Sequence, residues 1–183
     1  MSKRDVDRFF QEDEIIKFLK QDESDFRIYP IDRLFGESRF ASFGLESLGG
    51  YHPAKLKLYD DLINILNKVV SKALSPNNID EVLPVPVWRM LNTKYIISYI
   101  IIPPHPELNV VVPMAMIRNR KKPSELINDW TDPSDKLRYL KSFVPVEVYE
   151  ISNNMPRAWF VSEIQEVSEQ DIWRKIFEPD FDP

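Results

Sequence analysis

Residues 43–56 constrain the fold more than any other segment, because they hold three of the four glycines in this 183-residue chain. Gly49 and Gly50 predict a bend, since glycine adopts backbone conformations that other residues avoid. Pro53 follows, and proline suits the first turn of a helix, where its missing N–H is not needed. We therefore predict that a helix begins at Pro53 and runs to about Leu74.

The predicted helix has one apolar face, because apolar residues recur three and four positions apart along it. These residues are Leu56, Tyr59, Leu62, Ile63, Leu66, Val69, Val70 and Ala73. Ser75 and Pro76 follow and end the pattern. This is the strongest amphipathic helix signal in the chain.

The corner between the glycine bend and this helix is the first candidate binding site. Its residues are Gly49, Gly50, Tyr51, His52 and Lys55. A helix N-terminus presents unpaired N–H groups and the positive end of the helix dipole. With an imidazole and an ammonium group beside it, the corner is predicted to bind a phosphate or a sugar acid. The structural alternative is that the glycines only allow a tight turn, while Tyr51 packs on the core and His52 caps the helix.

Three further polar residues are candidates for ligand binding, each with a structural alternative. Asn92 and Lys94 lie between a helix end and a strand, and strand ends of α/β folds often line a crevice. Alternatively, Asn92 ends the helix and Lys94 is solvated. Arg157 begins a predicted strand, where it pairs either with a substrate phosphate or with a carboxylate such as Glu150 or Asp61.

Strands and helices alternate along the chain, which predicts a mixed α/β fold. Strands are predicted at 26–30, 94–102, 109–112, 146–151 and 157–161, and helices at 14–20, 87–91, 133–143 and 168–177. The run 94–102 is rich in β-branched residues and should be buried on both faces. Segments 146–151 and 157–161 flank a turn, so together they predict a β-hairpin. We expect one domain over residues 1–183, with a small mixed sheet packed against several helices (α/β, in the α+β sense).

Composition excludes several classes of function. The net charge is −5 and no basic block stands out, which argues against a nucleic-acid surface. The chain has no cysteine, so disulfides, thiolate metal sites and a cysteine nucleophile are excluded. The longest apolar run, residues 95–102, is far shorter than the roughly 20 residues that span a bilayer. The charged N-terminus lacks the apolar segment of a signal peptide.

No residue pattern points to catalysis or to a metal. Asp60 and Asp61 are adjacent on a helix, so their carboxylates point to different faces and cannot share a proton. His52 and His105 lie in different contexts without a third ligand, which argues against a metal site. No P-loop or GxSxG signature occurs, and no cofactor is expected. A hydrolase that uses Asp61 and His52 is an alternative that rests on residue types alone.

Six short motifs occur in an order that resembles one protein family. They are FRIYP (26–30), GGYHPAKL (49–56), MLNTKYII (90–97), VYE (148–150), MPRAWFV (155–161) and PDFDP (179–183). In this order they resemble YfhO-like bacterial membrane proteins. They cover nearly the whole chain apart from residues 114–144, which we interpret as an insertion. The resemblance implies a large polytopic protein of the GT-C type, similar to glycosyltransferases that use lipid-linked sugars and act at the cell envelope.

Within such a protein, this chain would be the segment on the extracytoplasmic face of the cytoplasmic membrane. The partners implied are the membrane-embedded portion of the same or a neighbouring protein, and a lipid-phosphate sugar or an acceptor glycan. The acidic catalytic residues of that family type are expected between early transmembrane helices, so no catalytic residue is carried over to this chain. We therefore expect a non-catalytic accessory domain that contacts the substrate. A stand-alone soluble α/β ligand-binding or interaction module is the alternative.

Overall fold

Four strands form one mixed sheet in the part of the chain that the structure describes. The computed structural model describes residues 12–50, 54–75, 82–116, 145–168, 171–178 and 180–183. The strands are β1 (Arg27–Pro30), β2 (Thr93–Ser98), β3 (Leu108–Met116) and β4 (Pro145–Ile151). The α-helices are α1 (Glu14–Leu19), α2 (Lys57–Ala73), α3 (Val85–Met90) and α4 (Ile172–Ile176). Two short 3-10 helices cover Asp32–Leu34 and Phe40–Phe43.

The strand order is β1-β2-β4-β3, with β1 parallel to β2 and the other neighbours antiparallel. In this register Ile28 lies opposite Tyr95, and Ile96 lies opposite Tyr149. Parallel neighbours need a long crossover connection, because the chain must return to the same end of the sheet. Residues 31–92 make that crossover and contain α2 and α3.

The loop after β1 folds back along the outer edge of that strand. The N–H of Ile28 donates to the carbonyl of Glu46 at 2.9 Å, and the N–H of Leu48 donates to the carbonyl of Ile28 at 3.0 Å. These bonds satisfy backbone groups that an open edge strand would leave unpaired. They also place Glu46 beside the start of β1.

Both faces of the sheet are covered, so the described chain forms three layers. The first face and its cover contain Ile28, Tyr95, Ile97, Val146 and Val148 from the strands, Ile15, Ile16 and Leu19 from α1, and Leu34, Phe40 and Leu45. The second contains Tyr29, Ile96, Tyr149 and Ile151 from the strands, Ile63, Leu66 and Val70 from α2, and Val85, Val87 and Trp88 from α3. The mixed α/β fold class that the sequence predicts is confirmed.

Strand β2 is buried on both faces, as its β-branched composition predicts, and five of its six residues are buried. It ends at Ser98, however, and not at Ile102. The hydroxyl of Ser98 accepts the N–H of Ile100 at 3.0 Å and donates to the carbonyl of Ile100 at 2.7 Å. This local bonding takes the place of sheet hydrogen bonds, so the chain leaves the sheet there.

Helix α2 begins at Lys57, so the prediction of a helix from Pro53 is wrong, and Pro53 itself lies outside the described residues. The preceding Leu56 has an extended backbone (φ −63°, ψ 131°), and its side chain is 81% exposed. Leu56 therefore does not start the apolar face. The reason is that residues 54–58 are all exposed, so an additional helical turn there would have no packing to stabilise it. Tyr59 is the first partly buried residue of α2, and its hydroxyl donates to the carbonyl of Leu48 at 3.4 Å. The rest of the predicted face is confirmed by the burial of Ile63, Leu66 and Val70.

The predicted β-hairpin between 146–151 and 157–161 is wrong. Strand β4 already has β2 on one side and β3 on the other, which leaves no edge for a further strand. Asn153 takes a left-handed backbone conformation (φ 58°) and turns the chain away from the sheet. Residues 154–168 then belong to neither a helix nor a strand.

The predicted C-terminal helix is present as α4, although it is shorter than the pattern suggests. The N–H of Asp171 donates to the hydroxyl of Ser168 at 3.2 Å, and that hydroxyl donates to the Asp171 carboxylate at 2.6 Å. These bonds tie Ser168 to Asp171, the N-cap of α4, which makes no side-chain cap bond of its own. The predicted helix at 133–143 lies outside the described residues.

The packing of α2 on the second face gives a direct stability test. Leu66 is fully buried, whereas Leu58 on the same helix is 64% exposed. We expect Leu66→Ala to lower the free energy of unfolding by about 2–5 kcal/mol, because it removes buried contacts and leaves a cavity. Leu58→Ala is the matched control and should change it by less than about 0.5 kcal/mol. Urea unfolding followed by circular dichroism measures both, and equal losses would contradict this packing.

Candidate functional site

Asn92 joins three separate parts of the chain at the end of the sheet where β1 and β2 begin. It follows α3 in a left-handed conformation (φ 58°), which asparagine tolerates better than most residues at a helix end. Its backbone carbonyl accepts the N–H of Arg27 at 2.9 Å. Its side-chain amide donates to the carbonyls of Asp25, at 3.2 Å, and Met155, at 2.8 Å. Asn92 is almost fully buried and both side-chain bonds are partly shielded from solvent, whereas its Oδ1 has no hydrogen-bond partner among the described residues.

Two arginines share one carboxylate beside Asn92. The guanidinium of Arg157 forms a short ion pair with Glu46, and the Nε of Arg27 lies 3.5 Å from the same carboxylate oxygen. Arg27 also donates from Nη1 to the carbonyl of Leu91 at 3.3 Å. We refer to Arg27, Glu46 and Arg157 together as the arginine trio.

The arginine trio carries a net charge of +1, because two guanidinium groups face one carboxylate. The hydrogen bond from Arg157 holds the pKa of Glu46 below its ordinary value, so the carboxylate stays ionised near neutral pH. The side chains of Arg157 and Glu46 are about half exposed. The remaining guanidinium N–H groups can therefore donate to an anion that approaches from solvent.

A second polar group, the Asp22 cluster, consists of Asp22, Ser24, Lys94, Tyr95 and Glu150. The ammonium of Lys94 lies 2.5 Å from the Asp22 carboxylate and 3.9 Å from that of Glu150. Tyr95 donates from its hydroxyl to Asp22 at 2.8 Å, and Ser24 donates to the other carboxylate oxygen at 2.7 Å. Two carboxylates against one ammonium give the cluster a net charge of −1, which disfavours a bound anion.

The Asp22 cluster changes the acidity of its members. Burial raises the pKa of Asp22, but hydrogen bonds from Lys94, Ser24 and Tyr95 outweigh that effect and hold it well below its ordinary range. Burial and the hydrogen bond to Asp22 raise the pKa of Tyr95, so this phenol keeps its proton. Asp22 therefore stays ionised and Tyr95 stays protonated near neutral pH, so neither acts as a general acid or base there. The hydrogen bonds of the cluster hold Asp22 against β2.

Gly49 and Gly50 of the glycine corner use their backbone donors within the fold. The N–H of Gly49 donates to the hydroxyl of Ser47 at 3.0 Å, and the N–H of Gly50 donates to the carbonyl of Phe35 at 2.6 Å. A Cβ atom on Gly49 would lie 2.2 Å from the Phe35 carbonyl oxygen, and Gly50 has φ 100°. Both positions thus require glycine for their backbone geometry.

The structure separates the predicted site residues into three places. Lys55 lies 3.5 Å from Asp60, its neighbour at the start of α2. Asn92 and Arg157 lie close together, because the Asn92 side chain donates to the carbonyl of Met155, two residues before Arg157. We refer to Asn92 and the three segments that it bonds as the junction. Lys94 belongs to the Asp22 cluster. Tyr51 and His52 lie outside the described residues, so the anion site at the glycine corner stays a prediction.

Arg27 and Glu46 are the site residues that sequence reasoning missed. The sequence suggests for Arg157 either a substrate phosphate or a carboxylate such as Glu150 or Asp61, and its carboxylate partner in the fold is Glu46. Glu46 is separated from Arg27 by 19 residues and lies in a loop without a periodic pattern. No local signal in a single sequence identifies such a pair, because only the folding of the loop onto β1 brings the residues together.

The described residues contain no group of three or more His, Cys, Asp or Glu side chains placed to hold a metal ion. Asp60 accepts from the side-chain amide of Asn64 at 3.1 Å, and the Nδ1 of His105 accepts the N–H of Glu107 at 3.2 Å. These contacts fix local turns of the chain. They do not assemble a nucleophile with a base.

Comparison of the chain with protein-family models, with curated proteins and with solved structures finds no match of any of the three kinds. Within the described ranges, no helix combines the length and the apolar character needed to cross a membrane.

The role of Asn92 can be separated into a hydrogen-bond part and a backbone part. Asn92→Ala removes the donor to the carbonyls of Asp25 and Met155. It also places alanine in the left-handed conformation, which alanine adopts less readily than asparagine. We expect it to lower the free energy of unfolding by about 1–3 kcal/mol. Asn92→Gly removes the same bonds but accepts that conformation freely, so it should be less destabilising by about 1 kcal/mol. Thermal or urea unfolding compares the two variants. If both match the wild type, Asn92 does not hold the junction.

The lowered pKa of Asp22 predicts how stability depends on pH. The ionised carboxylate stabilises the fold above the ordinary aspartate pKa of about 3.9, and this contribution is lost as the pH falls below that value toward the folded pKa. We expect Asp22→Asn to be less stable than the wild type at pH 6 and to lose less stability between pH 5 and pH 2. Urea unfolding at several pH values measures this. Glu23→Gln, at an exposed neighbouring position, is the control and should keep the wild-type pH profile.

Proposed function

We propose that this chain is a non-catalytic domain on the extracytoplasmic side of a YfhO-like, GT-C-type bacterial membrane protein. In this role it associates with the membrane-embedded portion of the same or a neighbouring protein. It contacts the phosphate of a lipid-linked sugar or an acidic group on the acceptor glycan. The arginine trio is the contact surface that the geometry favours, with the glycine corner next to it along the chain.

The observation that carries the proposal is the convergence of three of the six family-like motifs around Asn92. Arg27 comes from FRIYP, Asn92 from MLNTKYII, and Met155 and Arg157 from MPRAWFV. These segments are far apart in the chain, yet direct hydrogen bonds join Asn92 to Arg27 and to Met155. Such an arrangement is expected if the motifs define one shared structural unit, which supports the resemblance as a likeness of fold.

The arginine trio supports the ligand class. An arginine guanidinium matches the geometry of phosphate and carboxylate oxygens, and two of them converge here on the carboxylate of Glu46, while Asp25 acts more weakly on Arg157. Lys55 and Lys94 are less suited, because Lys55 is paired with Asp60 and Lys94 lies among two carboxylates. Glu46 is three residues before Gly49, so the residue that the two arginines share is close in sequence to the start of the glycine corner.

Binding of a short polyprenyl phosphate tests the proposal. The full chain is titrated with farnesyl phosphate and, separately, with farnesol, and binding is followed by two-dimensional NMR. We expect binding of the phosphate and not of the alcohol. Arg157→Gln should weaken that binding by up to about fivefold, the effect of losing one exposed charged contact worth about 0.2–1 kcal/mol. The same reduction is expected for Lys55→Ala if the glycine corner shares the ligand.

Lys68→Ala is the matched control, because Lys68 is an exposed lysine on α2 away from both surfaces. It removes one positive charge and should leave binding unchanged. Equal binding of farnesol and farnesyl phosphate, or equal weakening by Lys68→Ala, would contradict the proposed phosphate contact. Binding of soluble oligosaccharides alone would favour the stand-alone module instead.

A further inference from the structure

Residues 158–167, here the presented segment, expose an unusual run of large apolar side chains. Phe160 is fully exposed and Ile164 is 86% exposed, and Trp159, Val161 and Val167 are each more than one third exposed. Scattered apolar residues on a surface need no explanation, but a contiguous run of this kind marks an interaction site. The sequence of this segment is also rich in the β-branched and aromatic residues that strands prefer.

The backbone of the presented segment is open for pairing. Within the described residues, the N–H and C=O groups of 158–167 take part in no hydrogen bond. Apolar side chains occur at both odd and even positions, as in a strand that is covered on both faces. The segment thus has the side chains of a buried strand without the hydrogen bonds of one.

Both ends of the presented segment are attached to the fold. At the start, the Asn92 side chain holds the carbonyl of Met155, and Arg157 is paired with Glu46. At the end, α4 follows, and Ile176 and Phe177 pack against the second face of the sheet. Holding a strand-like segment at both ends lowers the conformational entropy that is lost when a partner binds.

We propose that the presented segment is an interaction surface that adds as a strand to the open edge of a β-sheet in another polypeptide. The partner edge carries lysine or arginine side chains. Residues 158–167 contain Glu163 and Glu166 and no basic residue, so a basic edge strand complements them. Main-chain hydrogen bonds give such a pairing its affinity, and the apolar side chains on both faces give it specificity.

The charge and the backbone argue against two other occupants. A lipid surface is disfavoured, because unpaired peptide groups are costly in hydrocarbon and the acidic side chains are repelled by anionic headgroups. A second copy of the same segment is disfavoured, because two acidic strands would face each other. Nothing in this surface depends on the proposed contact with lipid-linked sugars.

The test uses a cyclised β-hairpin peptide in which lysine alternates with valine, and a second hairpin in which glutamate replaces every lysine. The full chain is labelled with ¹⁵N, and peptide binding and amide hydrogen exchange are measured by NMR. We expect the lysine hairpin to bind, the glutamate hairpin to bind at least tenfold more weakly, and amide exchange to slow within 158–167. Binding of both hairpins with equal affinity, or of neither, overturns the proposal.

A matched pair of variants tests whether the backbone carries the binding. Ser162→Pro removes one N–H from a segment that lies outside the helices and strands of the fold, so the fold should remain intact. It should weaken lysine-hairpin binding about tenfold, the effect of one lost hydrogen bond near the upper end of its usual strength. Ser162→Ala keeps the N–H and should stay within twofold of the wild type. Equal affinities for the two variants overturn the strand pairing.

Two further measurements distinguish the other occupants. Binding of the wild type to vesicles of phosphatidylcholine and phosphatidylglycerol, abolished by Phe160→Ser with Ile164→Ser, would show a lipid surface and overturn the proposal. Concentration-dependent dimerisation in sedimentation, abolished by the same double variant, would show self-association and overturn it equally. We expect a monomer that does not bind these vesicles.

Discussion

The side-chain amide of Asn92 is the interaction on which the arrangement of the other polar groups depends. This residue lies between α3, which ends at Met90, and β2, which begins at Thr93. It accepts the backbone N–H that begins β1 and holds the chain after β4. Removing this amide is costly to stability, because the carbonyls of Asp25 and Met155 would then be shielded from water without a hydrogen-bond donor. The junction therefore sets the relative positions of three segments that are distant in sequence.

Two surfaces follow from that junction. The arginine trio forms where the start of β1, the loop at Glu46 and the chain after Met155 come together. The presented segment leaves the fold at the same point, because the contacts of Met155 and Arg157 direct it away from the completed sheet. A positively charged contact surface and an acidic strand-like segment thus lie next to each other. This arrangement suits a domain that works beside another polypeptide.

The sequence predicted the elements whose patterns are local. The spacing of Ile63, Leu66 and Val70 identified the buried face of α2, and the β-branched run after Thr93 identified a strand covered on both faces. It did not predict which strands pair. The segment after Arg157 has the composition of a hairpin strand, but β4 obtains its neighbours from residues far away in the chain.

The same limit applies to the candidate site. Asn92 and Arg157 were identifiable from their residue types beside element ends, whereas Glu46 depends on the loop folding back along β1. The glycine bend was correctly placed before a helix, but the preference of proline for the first helical turn placed the helix start at Pro53, too early in the chain. Tertiary contacts decided where the helix starts, because a helical turn without packing partners gains little stability.

Hydrogen exchange of the Asn92 side-chain amide tests the central claim most directly. Its two protons can be assigned by NMR and compared with those of Asn64, an exposed asparagine that bonds only to Asp60 one turn away. If Asn92 joins the three segments, its amide protons exchange much more slowly than those of Asn64 and nearly as slowly as the backbone amides of β2. Exchange as fast as that of Asn64 would contradict a buried junction at this position.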